Sequence, residues 1–343
     1  MKRKIAQLVE KGRFEIIEED IPSLGEKEIM VRIVSSGLCH SDVPSWLGES
    51  SQYSDANDVA SVNFPPPYPL RFGHEAQGVV EEIGSKVTLV KSGDIVTGAI
   101  KPGFATHAVC PEDRVIIIPK GPKNPFNCIA EPLMCIVNIV RAACPEFGDT
   151  VAVLGCGSMG LLTIGGLKNS GARNLIALDL IDERLEQAKK WGATHTVNPL
   201  KEDPEKAVFE ISEGNGADVA VEISGSLKGL ETALAVLKHA KLWTRPAGRA
   251  KLLIPTLYAR DEKWSGKNGY ALMNKAPVLL STHPRYAMDV RENYRRAIAA
   301  YEDDVLPIDR MITHRFKLEE INRGFEMLVS GKDGYIKGIL DLS

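Results

Sequence analysis

Three short stretches in the first half of the chain bring together side chains of the metal-ligating type. They read Cys-His-Ser-Asp at residues 39–42, Gly-His-Glu at 73–75 and Glu-Pro at 131–132. A thiolate, an imidazole and carboxylates are the ligands that hold a catalytic zinc ion while one coordination position stays open for water or substrate. A lone buried cysteine is usually inert packing, but this combination of donors predicts a zinc site.

A glycine-rich turn further along the chain has the spacing of a dinucleotide-binding site. Residues 155–160 read Gly-Cys-Gly-Ser-Met-Gly and follow an apolar strand predicted at 150–154. In such a turn the first glycine makes the bend, the second lets the backbone approach a pyrophosphate, and the third allows close helix–sheet packing. The N-terminus of the following helix supplies partial positive charge to the phosphates. The candidate cofactor-binding residues of this turn are Gly155, Gly157, Ser158, Met159 and Gly160.

A carboxylate at the end of the next predicted strand favours NAD over NADP. Asp179 lies 19 residues beyond Gly160, close to the spacing expected for a carboxylate that binds the adenosine ribose hydroxyls. A 2′-phosphate would meet like charge there, and Leu180 follows where an NADP enzyme more often has a basic residue. Arg184 is a further candidate for contact with the ribose.

These motifs, in this order, resemble those of the zinc-dependent medium-chain dehydrogenases of the alcohol dehydrogenase superfamily, and among them the polyol or sorbitol dehydrogenase-like branch. The resemblance implies that Cys39 and His74 ligate the catalytic zinc. In polyol-type members, the glutamate after the histidine or the glutamate of the Glu-Pro pair comes close to the metal. Glu75 and Glu131 are therefore both candidates for the third ligand.

The resemblance also implies catalytic roles for the three residues that follow the cysteine. Asp42 matches a position whose carboxylate accepts a hydrogen bond from the zinc-bound imidazole and fixes its tautomer. Ser41 matches the hydroxyl that contacts the substrate alcohol and starts a proton relay. His40 is a candidate outer member of that relay, with a phosphate contact or no functional role as the alternatives.

Many relatives hold a second, structural zinc with four closely spaced cysteines, and this chain lacks that pattern. The corresponding stretch after residue 94 contains only Cys110, and no Cys-x-x-Cys occurs anywhere in the 343 residues. We therefore expect one catalytic zinc per chain and no structural zinc.

The apolar periodicity changes along the chain and predicts two domains. Residues 4–36 alternate apolar and polar in short bursts, and further short strands follow up to residue 118, which is typical of a compact β-rich domain. From Asp149 onward, apolar strands alternate with amphipathic helices, which predicts a doubly wound parallel sheet. The predicted fold class is α/β, with a Rossmann nucleotide-binding domain at 147–286. The resemblance adds a GroES-like catalytic domain formed by 1–146 and 287–343.

Composition and charge exclude several classes of function. With 44% hydrophobic residues, 25% charged residues and a net charge of −3, the chain has an ordinary globular composition and is not a general polyanion binder. The longest apolar run, 151–167, holds five glycines and predicts strand-turn-helix rather than a membrane span. No signal peptide is evident, and the cysteines show no paired spacing. We expect a cytoplasmic protein with neither nucleic-acid nor membrane partners.

The expected function is that of a zinc- and NAD-dependent oxidoreductase that interconverts a secondary alcohol of a small polyol, sugar or cyclitol with its ketone. The resemblance to the family implies that the protein is a homodimer or homotetramer. A threonine-type or simple secondary-alcohol dehydrogenase is the alternative on the same scaffold. A zinc-free quinone or enoyl reductase and a non-catalytic nucleotide-binding protein are alternatives of a different class. The loop at 49–70 and the basic stretch at 238–275 depart most from the family pattern, and their roles stay open.

Overall fold

The structure is a computed structural model that describes residues 1–49, 67–240, 249–256, 258, 266–283, 287 and 289–343. Its strands are β1 (Lys2–Glu10), β2 (Arg13–Asp20), β3 (Glu28–Gly37), β4 (Leu70–Arg71), β5 (Ala76–Ile83), β6 (Ile95–Gly98), β7 (His107–Pro111), β8 (Val115–Ile117), β9 (Thr150–Leu154), β10 (Asn174–Leu178), β11 (His195–Val197), β12 (Val219–Glu222), β13 (Lys251–Ile254), β14 (Val278–Ser281), β15 (Ile312–Phe316) and β16 (Lys337–Asp341). Its helices are α1 (Val43–Trp46), α2 (Ala130–Ala143), α3 (Ser158–Leu167), α4 (Asp182–Trp191), α5 (Pro204–Ile211), α6 (Leu227–Val236), α7 (Gly266–Lys275), α8 (Val290–Glu302) and α9 (Ile321–Ser330).

The chain forms two compact units, and the first is discontinuous. The first unit comprises Met1–Pro132 and Ile298–Ser343, and the second comprises Leu133–Ala297. Both junctions fall inside helices, α2 and α8. The domain ranges predicted from the sequence assign these two helices whole to the first domain, and they stay a prediction.

The first unit is rich in β-structure, as predicted. One sheet has the strand order β2-β1-β4, and a seven-stranded sheet runs β15-β16-β3-β5-β6-β8 with β7 paired to β3. Burial alternates along the edge strand β15, where one face packs on the core and the other meets solvent, whereas β3 and β16 are buried at most residues. The last strand, β16, pairs antiparallel with β3 and sets Ile339 opposite Gly37. This pairing brings the C-terminal segment next to the end of β3.

Aromatic side chains from distant segments fill part of the core of the first unit. Phe14 contacts Phe72 and Phe104 edge-on, with ring centroids 5.9 and 6.4 Å apart. Phe325, which lies on α9, packs at 4.9 Å from Phe14 and 6.0 Å from Phe104. Three of these four contacts are edge-to-face, and such contacts add to the stabilisation from the burial of large apolar area. They fix the C-terminal helix against the N-terminal strands.

The second unit is the predicted doubly wound parallel sheet. Its strand order is β11-β10-β9-β12-β13-β14, and every neighbouring pair is parallel. The central strands β9 and β10 are buried at every residue, which explains their continuous apolar sequence. The strand order reverses at β9, and open α/β sheets bind ligands outside the carboxyl ends of the strands at such a point. No helix in the described part of the chain is both long and apolar enough to cross a bilayer.

Candidate metal and dinucleotide sites

The end of β3 and the start of β5 bring three metal-ligand types together. Cys39 lies after β3, at the start of a single 3-10 turn over His40–Asp42, and His74 and Glu75 come directly before β5. The backbone N–H of Gly37 donates to the carbonyl of Glu75 over 3.0 Å, which ties the two segments together. The ligand atoms of Cys39, His74 and Glu75 all lie within 4.8 Å of one another. One small cation could contact all three.

Two glycines make space for this group. Gly73 has φ +89°, and a β-carbon there would lie 2.5 Å from the backbone nitrogen of Phe104. A side chain at Gly37 would collide with the carboxylate of Glu75. Both positions therefore need glycine, because any larger residue would displace a segment that carries a metal-ligand candidate.

The carboxylate of Glu75 is held by a buried lysine that the sequence did not single out. The Nζ of Lys337 lies 2.9 Å from Oε1 and 2.6 Å from Oε2 of Glu75, and it donates to the carbonyl of Leu38 over 3.0 Å. Only 7% of Lys337 is exposed. Burial opposes both charges, but mutual attraction raises the pKa of Lys337 and lowers that of Glu75. The two residues are 262 positions apart, so no local pattern could have indicated the pair.

His74 lies in a strongly negative environment. Its Nδ1 is 3.5 Å from Oδ1 of Asp42, which is fully buried. Burial alone lowers the pKa of His74, but Asp42 and then Cys39 and Glu131 raise it well above its ordinary value. Glu131 lies in the first turn of α2, a helix that was not predicted from the sequence. It is not a member of the three-residue group with Cys39, yet it lies near enough to act on the imidazole.

The residues predicted for proton transfer differ in exposure. The Oγ of Ser41 is 3.3 Å from the sulfur of Cys39 and 3.4 Å from Nε2 of His74. The next residue outward, His40, is exposed on the 3-10 turn. The hydroxyl of Ser41 therefore borders the candidate ligand atoms, while the imidazole of His40 meets solvent. The relay itself stays a prediction.

The glycine-rich turn has the geometry that close approach of a phosphate requires. Gly155 follows β9 with φ +101°, and a side chain at Gly160 would collide with the carbonyl oxygen of Gly155. Gly157 precedes α3, which begins at Ser158 and Met159, and a β-carbon on Gly157 would meet no atom within 4 Å. The turn is therefore tight on its inner side and open at its second glycine.

Asp179 follows β10 and binds the glycine-rich turn. Its Oδ2 accepts a hydrogen bond from the backbone N–H of Cys156 over 2.7 Å, and its Oδ1 accepts one from Ile181 over 3.0 Å. Arg184 lies beside it, with Nη1 3.9 Å from Oδ2. Each carboxylate oxygen can accept a second hydrogen bond, so these contacts are compatible with a ribose ligand.

Part of the basic stretch at 238–275 serves internal contacts. Lys238 pairs with Asp218 at 2.6 Å, and the Nζ of Lys275 donates to the carbonyl of Leu237 over 2.7 Å. These two cations stabilise the second unit rather than offer a site for an anion. Residues 241–248, 257 and 259–265 of this stretch lie outside the described residues, as do 50–66 of the long loop.

Comparison with known proteins finds two family models, one in the part of the chain with the metal-ligand candidates and one that begins in the glycine-rich turn. The model of the alcohol dehydrogenase GroES-like domain matches residues 25–120, and that of the zinc-binding dehydrogenase matches 158–241. An L-threonine 3-dehydrogenase of Pyrococcus abyssi (strain GE5 / Orsay) is 30% identical, with 94% of each chain covered. D-xylulose reductase A of Aspergillus niger is 28% identical, with 93% of this chain and 92% of the relative covered.

A solved structure is similar over nearly the whole chain. It comes from Sinorhizobium meliloti 1021, is described as a zinc-binding dehydrogenase bound to NADP, and has a TM-score of 0.81 at 24% identity. The match covers 99% of both chains. This likeness supports the two-unit fold.

Proposed function

Because the chain belongs to the zinc-dependent alcohol dehydrogenase family, we propose that it is a zinc- and NAD-dependent oxidoreductase that interconverts a secondary alcohol of a polyol, sugar or cyclitol with its ketone. One observation carries the proposal: the thiol, imidazole and carboxylate of Cys39, His74 and Glu75 converge within 4.8 Å. Such a donor set suits zinc. Family members act on small-molecule alcohols, as the names of the threonine and xylulose enzymes indicate.

Cys39 and His74 would hold the zinc, and we propose Glu75 as the third direct ligand, with Glu131 as the alternative. Glu75 is the nearer carboxylate, since its ligand atom belongs to the 4.8 Å group with Cys39 and His74. Its Oε1 accepts a hydrogen bond from Lys337, while its Oε2 has no hydrogen-bond partner among the described residues and could bind a metal without breaking the ion pair. Glu131 would then act as a charged neighbour of the imidazole of His74.

When bound, the zinc ion would supply Lewis acidity toward the substrate oxygen, and NAD would supply the hydride acceptor. The protein supplies position and proton transfer. Asp42 holds Nδ1 of His74 and so leaves Nε2 for the metal. As Oγ of Ser41 takes up the proton of the substrate alcohol, the serine's own hydroxyl proton would pass to His40, which would release a proton to solvent. The exposure of His40 supports this direction of transfer.

The second unit would hold the dinucleotide at the glycine-rich turn. The open space at Gly157 lets the backbone N–H groups at the start of α3 face a pyrophosphate. Asp179 would bind the ribose hydroxyls with Arg184 nearby, and its charge supports NAD over NADP. Since a similar structure contains NADP, NADPH is the appropriate competitor in any test.

Threonine is a second candidate substrate because the relative at 30% identity is an L-threonine 3-dehydrogenase. Threonine carries a secondary hydroxyl, so the same zinc and dinucleotide chemistry applies to it. Recognition of its ammonium and carboxylate would need further charged groups. The motifs found in the sequence do not include such groups.

An NAD-reduction assay with zinc-loaded protein tests the proposal. The panel contains polyols, cyclitols and sugar acids, with threonine and 2-propanol as comparison substrates, and NAD or NADP as oxidant. We expect turnover with a polyol-type substrate and at least tenfold preference for NAD. Threonine as the best substrate would select the second candidate. Absence of turnover with every alcohol would refute both.

Two variants test the metal site and the dinucleotide site independently. Cys39→Ser is expected to lose stoichiometric zinc and turnover while it still binds NADH. Gly157→Ala is expected to keep zinc and its melting temperature, because the added methyl group meets no protein atom, but to weaken NADH binding at least tenfold. Gly269→Ala, also in open space but on α7, is the control and should leave NADH binding unchanged. Zinc retained in Cys39→Ser would contradict the metal site.

A further inference from the structure

A buried carboxylate ends the central strand β12 and belongs to none of the motifs found in the sequence. Glu222 is fully buried and lies in register with Leu154 at the end of β9. It therefore sits at the carboxyl edge of the parallel sheet, one strand away from the glycine-rich turn. An ionised side chain is rarely buried unless other groups satisfy its oxygens.

Four donors from two different segments satisfy Glu222. Its Oε1 accepts hydrogen bonds from the backbone N–H of Ser224, over 2.9 Å, and from the hydroxyl of the same residue. Its Oε2 accepts from the hydroxyl of Thr256 over 2.9 Å and from that of Tyr258. Ser224 belongs to the loop after β12, whereas Thr256 and Tyr258 follow β13. One carboxylate thus joins the chain segments that leave two adjacent strands.

The loop held by Glu222 also bounds the glycine-rich turn. A β-carbon on Gly155 would lie 2.8 Å from both Cα and N of Ser224, so the two backbones are in close contact. The Oγ of Ser224 lies 3.1 Å from that of Ser226, which caps α6 by accepting from Gly229 over 2.9 Å. Any shift of Ser224 would therefore disturb both the start of α6 and the backbone contact with Gly155 of the glycine-rich turn.

We propose that Glu222 is a positioning residue for the dinucleotide, in that its four hydrogen bonds fix the loop after β12 against the glycine-rich turn and tie that loop to the segment after β13. This inference rests on the proposed function. Because Glu222 is fully buried, it would act through Ser224 rather than by direct contact with the cofactor. Its role is to keep the turn in its binding geometry before the cofactor arrives, which lowers the cost of binding.

The chemistry of the carboxylate predicts the order in which substitutions of Glu222 and its partners weaken these hydrogen bonds. An ionised carboxylate only accepts hydrogen bonds, so all four donors can point at it. In Glu222→Gln the amide oxygen can still accept from Ser224, while the amide NH₂ needs the hydroxyls of Thr256 and Tyr258 to turn round and accept. In Glu222→Ala all four donors lose the carboxylate that accepts their hydrogen bonds. A Thr256→Val/Tyr258→Phe double variant releases only the segment after β13.

The test is an NADH fluorescence titration of the whole zinc-loaded protein, with zinc content and melting temperature measured in parallel. We expect the Kd for NADH to rise at least tenfold in Glu222→Ala and three- to tenfold in the Thr256→Val/Tyr258→Phe variant. The rise in Glu222→Gln should be smaller than that in Glu222→Ala. Zinc content should stay at the wild-type value in all three. The double variant keeps the test decisive if Glu222→Ala does not fold.

Asp218→Asn is the matched control. Asp218 precedes the opposite, amino end of β12 and likewise accepts a backbone N–H, that of Thr150, over 2.9 Å. It should lower the melting temperature without changing the Kd for NADH. Unchanged binding in the double variant, or equal weakening in Asp218→Asn, would overturn the inference. If the wild type bound neither NADH nor NADPH, the proposed function would fail first and this inference with it.

Discussion

At the scale of single residues, the buried ion pair between Lys337 and Glu75 has a large energetic consequence for the first unit. Both side chains are buried; the ammonium donates to Oε1 of Glu75 and to the carbonyl of Leu38, and it lies 2.6 Å from Oε2 of Glu75. Removing one partner of a buried pair leaves an uncompensated charge, which costs about 3–5 kcal/mol. Replacing both partners costs less, because no unpaired charge remains.

We therefore expect Lys337→Met to lower the free energy of unfolding of the metal-free protein by about 3–5 kcal/mol. The Glu75→Gln/Lys337→Met double variant should recover at least half of that loss. Urea denaturation in the presence of a chelator measures both. Lys332→Met, an exposed lysine of the same segment, is the control and should change stability by less than about 0.5 kcal/mol. If the double variant were no more stable than Lys337→Met, lost packing rather than an unpaired buried charge would account for the loss of stability.

At the scale of elements, one carboxylate links the three strands of the smaller sheet. Glu19 on β2 accepts from Arg3 on β1, over 2.9 Å to its Nε, and from Arg71 on β4 over 2.7 Å. Burial raises the pKa of Glu19, but the hydrogen bonds from Arg3 and then Arg71 lower it overall. A group whose pKa is lower in the folded state stabilises the protein above its unfolded pKa, and this stabilisation is lost as the pH falls through the folded value.

Glu19→Gln is therefore expected to cost about 1 kcal/mol at pH 7, since the side chain is partly exposed. The difference from wild type should shrink as the pH falls below about 4, where the wild-type carboxylate also becomes neutral. Urea midpoints measured from pH 3 to 8 test this. Glu18→Gln, the exposed neighbour on the same strand, serves as control. A wild-type advantage that grew toward acid pH would contradict the assigned sign.

At the scale of the whole molecule, every proposed zinc ligand belongs to the first unit. Cys39, His74, Glu75 and Glu131 all precede residue 133, and Lys337 returns with the C-terminal segment of the same unit. The glycine-rich turn, Asp179 and Glu222 all belong to the second unit. Metal and dinucleotide should therefore stabilise different parts of the chain.

We expect chelation of zinc to increase amide hydrogen exchange around 35–42, 73–80 and 337–341 and to leave β9 and β12 unchanged. NADH should slow exchange near the glycine-rich turn whether or not zinc is present. A ligand stabilises the elements that hold it, because binding acts only on the folded form of the site. Mass spectrometry of exchanged, digested protein resolves these segments. Equal changes in both units on chelation would argue against a zinc site confined to the first unit.

Much of the fold could be predicted from local pattern. Strand β9 has the bounds predicted from its apolar run, 150–154, because the pattern of a buried strand is visible within a few consecutive residues. Helix α2 was missed, since its start was interpreted only as a Glu-Pro motif. The convergence of Cys39, His74 and Glu75 agrees with the motifs, while the roles assigned to Ser41, His40 and Asp42 stay predictions.

The sequence by itself determined which donors and which turn this protein carries, because ligand type and glycine spacing are local properties of the chain. Only the tertiary structure decided that Lys337 neutralises Glu75 and that Glu222 ties Ser224 to Thr256 and Tyr258. Those contacts depend on which strands lie side by side, β16 against β3 and β12 against β13. Strand order is set by the packing of the whole sheet, and a single residue such as Lys337 or Glu222 gives no sign of it in its own neighbourhood.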